Sequence, residues 1–144
     1  MRRSLRDGLG IGQGRFCDAP EFQRSWRGKI VEIRSDATED GWLRYALVVT
    51  CHARSAFQYY QVVVPVLTSE PDWDHPLDVV IQKGPLVHLL GDEGRPVALS
   101  IPLTTTVFHR VETAGDTGIT ITPSVLAQVE DSLCTYLHCH LPIA

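Results

Sequence analysis

Three side chains that can bind a phosphate stand at the ends of two apolar segments. Arg44 comes just before the run Tyr45–Thr50, and Thr68 and Ser69 end the run Gln61–Ser69. A guanidinium is always charged and presents a fork of donors that matches phosphate oxygens, and hydroxyls can bind the same oxygens. If the two segments are paired strands, these groups meet at one end of a sheet. The alternatives are an Arg44 in a surface ion pair and a strand-terminating turn at Thr68 and Ser69.

The run Gln61–Ser69 is the centre of the predicted architecture. Three consecutive valines precede Pro65, whereas a half-exposed strand would alternate apolar and polar residues. We therefore predict a strand that is covered on both faces. Pro65 cannot donate a ladder hydrogen bond, so we expect it at a bulge or on a sheet edge.

Length and composition predict one globular domain. A chain of 144 residues with 44% hydrophobic and 21% charged residues can bury a core without disulfides. The formal net charge of −4 disfavours a generic nucleic-acid coat but leaves room for a local basic cleft. No apolar stretch approaches the roughly 20 residues of a membrane helix, and no apolar core follows the first arginines. We therefore expect no membrane segment, no secretory signal and a cytoplasmic location.

The cysteine pattern gives little support to a metal site. The four cysteines form no C-x-x-C pair, although Cys134, His138, Cys139 and His140 cluster near the end of the sequence. This cluster lacks the spacing of a zinc knuckle and has no second ligand pair. We expect no metal and no other cofactor, and we expect a buried, reduced thiol at Cys134.

Several short segments read as strands separated by turn signals. Loops are expected at Ser35–Gly41 and Glu70–Pro76, and a turn at Ala114–Gly118. The predicted strands are Trp26–Ile33, Trp42–Cys51, Phe57–Leu67, Leu77–Ile81, a small one at Leu86–Leu90, Val97–Leu103 and Val107–Val111.

One amphipathic helix is predicted at Thr122–Tyr136. Thr122 is a good N-cap, Pro123 suits the first helical position, and the apolar residues that follow recur at helical spacing. Residues 1–25 hold a glycine at every second position from Gly8 to Gly14, with arginines scattered among them, and are expected to be a flexible tail, which leaves a single domain at 26–140. Short strands closed by one helix predict a small antiparallel barrel.

Five segments, in this order, resemble the PemK/MazF family of type II toxin–antitoxin toxins, which is related to CcdB. The resemblance runs from about Arg27 to about Leu137 and implies an SH3-like barrel, mainly β with a C-terminal helix. The segments are Gly28-Lys-Ile-Val-Glu-Ile, Trp42-Leu-Arg-Tyr-Ala-Leu-Val-Val-Thr, Val62-Val-Val-Pro-Val-Leu-Thr-Ser, Pro76-Leu-Asp-Val-Val-Ile and the helix Val125–Leu137.

The resemblance also implies a function. Family members are metal-independent endoribonucleases that cleave mRNA in single-stranded regions through attack of the 2′-hydroxyl on the adjacent phosphate. Arg44 falls on the family arginine, as electrostatic clamp and proton donor, and Thr68 would position the scissile phosphate. Ser69, His52 and Thr105 are further candidates for substrate binding. The implied partners are RNA, an acidic antitoxin and a second copy of the chain.

A general base and base-stacking aromatics are less clearly marked. His52 and His109 titrate near neutrality when unperturbed, and Glu32 and Asp78 are alternatives. Tyr59, Tyr60 and the tryptophans could stack on bases. Trp26 and Trp42 are expected inside the protein because they lie on strands. Trp73 lies in a polar loop and is the better candidate for contact with RNA or an antitoxin.

One segment departs from the family pattern. Ile101, Pro102 and Thr104 stand where the family usually has an acid, a glutamine and an arginine, and only Thr105 is kept. These differences favour two alternative functions. One is a CcdB-like protein that binds a protein target, and the other is a regulatory binding module.

Overall fold

One nine-residue strand, Tyr60–Thr68, pairs with three others and holds the sheet together. The computed structural model describes residues 26–38, 40–50, 60–91, 94–108 and 112–139. Within these ranges all strand pairs are antiparallel. The strands are β1 (Lys29–Ile33), β2 (Tyr45–Val48), β3 (Tyr60–Thr68), β4 (Val79–Ile81), β5 (Val97–Leu99), β6 (Thr105–Phe108) and β7 (Thr113–Thr120). The helices are α1 (Pro85–Leu89), α2 (Pro123–Cys139) and a one-turn 3-10 helix at Ile101–Leu103.

The strand order is β4-β5-β3-β2-β1-β7, with β6 also paired to β3. One edge of β3 bonds to β2, and its other edge bonds first to β6 and then to β5. Pro65 lies between the β6 and β5 ladders, where its carbonyl accepts a hydrogen bond from Ser100 N at 2.9 Å. A residue without an N–H is tolerated at such a break in a ladder.

Both faces of β3 are buried, as predicted. Val63 and Val64 are each fully buried but belong to different apolar clusters, because neighbouring strand residues point to opposite faces. The first cluster includes Tyr45, Leu47 and residues of α2. The second is smaller and lies on the other face.

The C-terminal helix closes the first cluster. Val129 is fully buried, and Leu126 and Leu133 on the same face pack against that cluster. Thr122 Oγ1 accepts a hydrogen bond from Val125 N at 3.3 Å, which satisfies one free donor of the first turn. The predicted helix and its cap are confirmed.

Two predicted elements are wrong. The segment Leu86–Leu90 is not a strand, because Pro85–Leu89 forms helix α1 with Pro85 at its start and Leu86 buried. A short apolar run does not reveal its period, which explains the error. Ala114–Gly118 is not a turn but part of β7. The pairing of β7 with β1 contains register shifts, and Gly118 adopts a positive φ of 83°.

Other expectations need smaller corrections. The predicted strand Val97–Leu103 ends at Leu99 and gives way to the 3-10 helix. Trp42 is 45% exposed rather than packed inside, and Cys134 is exposed rather than buried. Residues 1–25, including the predicted tail, lie outside the described residues.

The predicted class, mainly β with a C-terminal helix, is confirmed. The sheet is barrel-like but not closed, because no ladder joins β4 to β7 in the described part of the chain. None of the helices in the described ranges is long and apolar enough to span a bilayer.

Candidate functional site

Arg44 and Thr68 lie at the same end of the sheet. Strands β2 and β3 are antiparallel, with Ala46 opposite Pro65, so the start of β2 and the end of β3 are neighbours. Arg44 immediately precedes β2, and Thr68 is the last residue of β3. The two strands pair as the sequence predicts.

The two side chains nevertheless line different grooves. Thr68 comes two residues after Val66, which belongs to the first cluster. Arg44 comes two residues before Ala46, which belongs to the second cluster. Because strand residues two positions apart point to the same face, the side chains of Thr68 and Arg44 leave the backbone on opposite faces of the sheet. The structure does not bring them together in one pocket.

The Arg44 groove has a volume of about 600 Å³. The Arg44 side chain is exposed, and its guanidinium carbon lies 5.0 Å from the centroid of the Tyr45 ring. Tyr45 is only 6% exposed, so it gives the guanidinium a fixed platform. The groove is lined by Glu32, Ile33, Arg34, Ser35, Asp36, Gly41, Leu43, Arg44 and Ala114.

The two arginines of this groove differ in their partners. Arg34 donates from Nε to Asp36 Oδ1 at 3.1 Å and from Nη2 to Asp36 Oδ2 at 2.6 Å. These hydrogen bonds hold the pKa of Asp36 below its usual value. Arg44 forms no salt bridge with any described residue. Of these two arginines, Arg44 is therefore the one whose charge no described carboxylate pairs with, so it can bind an anion.

Glu32 is another charged lining residue of the same groove. Its side chain is exposed and forms no hydrogen bond or ion pair with a described residue. It lies on β1 opposite Tyr45, the residue beneath Arg44. A carboxylate that can accept a proton and a guanidinium that can bind a phosphate thus share one groove.

The Thr68 groove is smaller, about 170 Å³, and its charged residues are all acidic. Thr68 is half-buried at the end of β3. Among the described residues, three carboxylates line the groove and no lysine or arginine does, so it is a poor place for a phosphate. Its lining residues are Leu67, Thr68, Glu70, Trp73, Asp74, Asp78, Ala98, Ser100 and Leu103.

Ser69 and Asp78 are tied into the structure of this region. Ser69 is 7% exposed, and its Oγ donates to Asp74 Oδ2 at 2.5 Å. Asp78 Oδ2 accepts from His75 N at 2.9 Å, and its Oδ1 accepts from Ile101 N at 3.0 Å. Both side chains therefore hold loops in place. These contacts agree with the alternative interpretation of Ser69, in which it belongs to a turn that ends the strand.

The remaining candidates are dispersed. Trp73 is 84% exposed on the loop beside Thr68. Thr105 is half-buried at the start of β6, opposite Val63, and lines neither groove. Ile101, at the position of the family acid, is fully buried in the first cluster. His52, His109 and Tyr59 lie outside the described residues.

Two features of the site were not anticipated from the sequence. Tyr45 supports Arg44, and the only available signal is that the two residues are adjacent. Arg34 is neutralised by Asp36, which a basic and an acidic residue two positions apart could have suggested. From the sequence alone, neither pair could be distinguished from two neighbouring surface residues that do not touch.

A solved structure has a similar fold. One chain of the MazE-MazF complex from Deinococcus radiodurans matches with a TM-score of 0.51 and 21% sequence identity. The match covers 78% of this chain and 93% of that chain. No protein-family model matches the sequence, and the search of curated proteins finds no match. The predicted PemK/MazF-like fold is therefore confirmed by structure rather than by sequence similarity.

Proposed function

We propose that this protein is the toxin component of a type II toxin–antitoxin system and a metal-independent endoribonuclease that cleaves mRNA in single-stranded regions. The MazF-like fold and the ordered set of resembling segments support the proposal. One observation carries it: Arg44 and Glu32 line the same groove, both are exposed, and neither forms an ion pair with any described residue.

In the proposed reaction, an RNA phosphate binds at Arg44. Glu32 takes the proton of the neighbouring 2′-hydroxyl, and that oxygen attacks phosphorus. Arg44 donates hydrogen bonds to the non-bridging oxygens, whose charge grows in the transition state. The bond from phosphorus to the 5′-oxygen breaks, the 5′-oxygen takes a proton from solvent, and a cyclic phosphate remains. Thr68 lines the other groove and takes no part in this reaction.

Cleavage of a long RNA in EDTA tests this assignment. We expect discrete cuts with 2′,3′-cyclic phosphate ends. Arg44→Ala is expected to slow single-turnover cleavage by about 10²- to 10³-fold, because it removes the donor to the charged oxygens. Glu32→Gln is expected to slow cleavage by about 10²-fold or more, because the amide cannot accept the proton.

The matched control removes one positive charge elsewhere. Arg95 is exposed and lies outside the Arg44 groove, so Arg95→Ala should cut at close to the native rate. RNA that stays intact at a large excess of protein would remove the nuclease proposal. Native-like cutting by Arg44→Ala would instead remove the assigned site.

A second candidate is a non-catalytic, CcdB-like protein that acts by binding a protein target. The separation of Arg44 from Thr68 and the buried Ile101 at the family acid position favour it. Under this candidate, expression would arrest bacterial growth while cellular and purified RNA stay uncut. Growth arrest that disappears together with RNA cleavage in Arg44→Ala would favour the nuclease.

We also propose a cognate antitoxin as partner. The neighbouring structure is that of a complex, MazE-MazF, and the present fold is similar to one of its chains. An acidic antitoxin segment would find its cation at Arg44. Co-expression with a small acidic protein encoded beside this chain should restore growth and give a stable co-purified complex.

A further inference from the structure

Two exposed apolar side chains line the Thr68 groove. Trp73 is 84% exposed and Leu103 is 45% exposed, and both line this one groove. Large apolar side chains that stay in water beside a concave surface are typical of binding sites, and tryptophan is enriched among the residues that dominate binding energy.

The loop that presents Trp73 is held by its own hydrogen bonds. Trp73 N and Asp74 N both donate to Glu70 O at 2.8 Å. The Asp74 carboxylate accepts from Ser69 Oγ at 2.5 Å and from Glu70 N at 3.0 Å. Because the backbone at Trp73 is already ordered, this loop would lose little conformational entropy when a partner binds to the indole.

The charge of the Thr68 groove indicates the charge of the partner that it can bind. Glu70, Asp74 and Asp78 are its charged lining residues, and all three are acidic. Asp74 and Asp78 accept hydrogen bonds from their neighbours, whereas the Glu70 side chain is exposed and makes no such bond to a described residue. The whole chain carries a net charge of −4, which attracts cations at longer range. A polyanion such as RNA is disfavoured here.

We propose that the Thr68 groove docks a cationic, partly apolar peptide segment of a partner protein. An arginine or lysine of that segment pairs with Glu70 and lies over the Trp73 indole. A neighbouring apolar side chain packs against Leu103. The proposal goes beyond the proposed function and does not depend on it, because neither Arg44 nor RNA cleavage takes part.

Two synthetic hexapeptides test the proposal, one alternating leucine with arginine and one alternating leucine with glutamate. The readout is the indole N–H signal of Trp73 in the NMR spectrum of the ¹⁵N-labelled full chain, identified by its absence in Trp73→Phe. The arginine peptide is expected to shift this signal saturably, and the glutamate peptide is expected to leave it in place.

Variants separate docking from general attraction to an acidic protein, with affinities measured by calorimetry. Trp73→Ala should weaken binding of the arginine peptide by about tenfold or more, since it removes the central contact. Glu70→Gln should weaken it by about threefold, as expected for an exposed ion pair. Asp131→Asn removes an exposed negative charge on α2 and should change the affinity by less than about 1.5-fold. Circular dichroism of each variant establishes that it is folded.

Four results would overturn the proposal. The Trp73 signal does not shift at about 1 mM arginine peptide, which excludes even weak docking. The glutamate peptide binds equally well. A single-stranded RNA oligonucleotide shifts the Trp73 signal saturably, which would make the groove an RNA surface. Folded Trp73→Ala binds the arginine peptide with native affinity.

Discussion

At the scale of the residue, what distinguishes Arg44 is that it forms no salt bridge with any described residue. Arg34 in the same groove is held by two hydrogen bonds from its guanidinium to Asp36. Arg44 instead lies against the buried Tyr45 ring and keeps its donors for an outside ligand.

Another single residue ties two strands together at a bulge. Asp116 Oδ1 accepts from Gly118 N at 2.8 Å, and Asp116 Oδ2 accepts from Lys29 Nζ at 3.1 Å. The Gly118 N–H, followed by Lys29, lowers the pKa of Asp116 in the folded protein. A carboxyl with a lowered folded pKa stabilises the fold above its unfolded pKa of about 3.9. That stability is lost as the pH falls through the folded value.

Asp116→Ala is therefore expected to lower the free energy of unfolding by about 1 kcal/mol at pH 7. The difference from the native protein should shrink as the pH falls below about 4, because both proteins then lack the charge. Urea denaturation at a series of pH values measures this. Asp116→Asn, which keeps an acceptor for Gly118 N–H, serves as the control. A difference that stays constant down to pH about 2 would contradict the assignment.

At the scale of the element, β3 and α2 carry the architecture. β3 is buried on both faces and changes partner at Pro65, which lets one strand serve two parts of a bent sheet. The helix α2 covers the first cluster through Val129 and its neighbours. The start of that helix depends on a single side-chain cap at Thr122.

Thr122→Ala should lower the free energy of unfolding by about 1 kcal/mol, because it leaves the N–H of Val125 without its acceptor. Thr122→Ser keeps the hydroxyl and should stay within a few tenths of a kcal/mol of the native value. Chemical denaturation followed by far-ultraviolet circular dichroism gives both numbers. Equal losses in the two variants would show that the methyl group, not the cap, matters.

At the scale of the whole molecule, the sheet leaves an edge unpaired at three strands in the described part of the chain, β4, β6 and β7, and its two grooves differ in charge. Among the described residues, one groove has a guanidinium without a salt bridge, and the other has only carboxylates as charged groups. A polyanion and a polycation would therefore bind at different places at the same end of the sheet.

The resemblance predicts a homodimer, in which the RNA groove would be built across a two-fold interface. Light scattering after size-exclusion chromatography should then give twice the 16.0 kDa chain mass, with no decrease on dilution to low micromolar concentration. A monomer mass across this range would contradict the prediction. It would also confine RNA binding to the surface of a single chain.

Much of the fold was predictable because its signals are local. The valine run of β3 and the capped, periodic α2 carry their own patterns, so both were found. The elements missed are those without a readable period: α1 is a single short apolar turn, and β7 contains glycines that imitate a turn. The prediction of a buried Trp42 failed because β2 begins only at Tyr45, so Trp42 precedes the strand to which it was assigned.

The sequence by itself determined that strands resembling those of MazF-type proteins would pair and bring Arg44 and Thr68 to one end of a sheet. Only the tertiary structure decided that these two side chains line separate grooves, one beside Glu32 and one beside Trp73. The reason is that pairing depends on patterns within each strand, whereas a groove depends on which residues from distant loops close around a side chain.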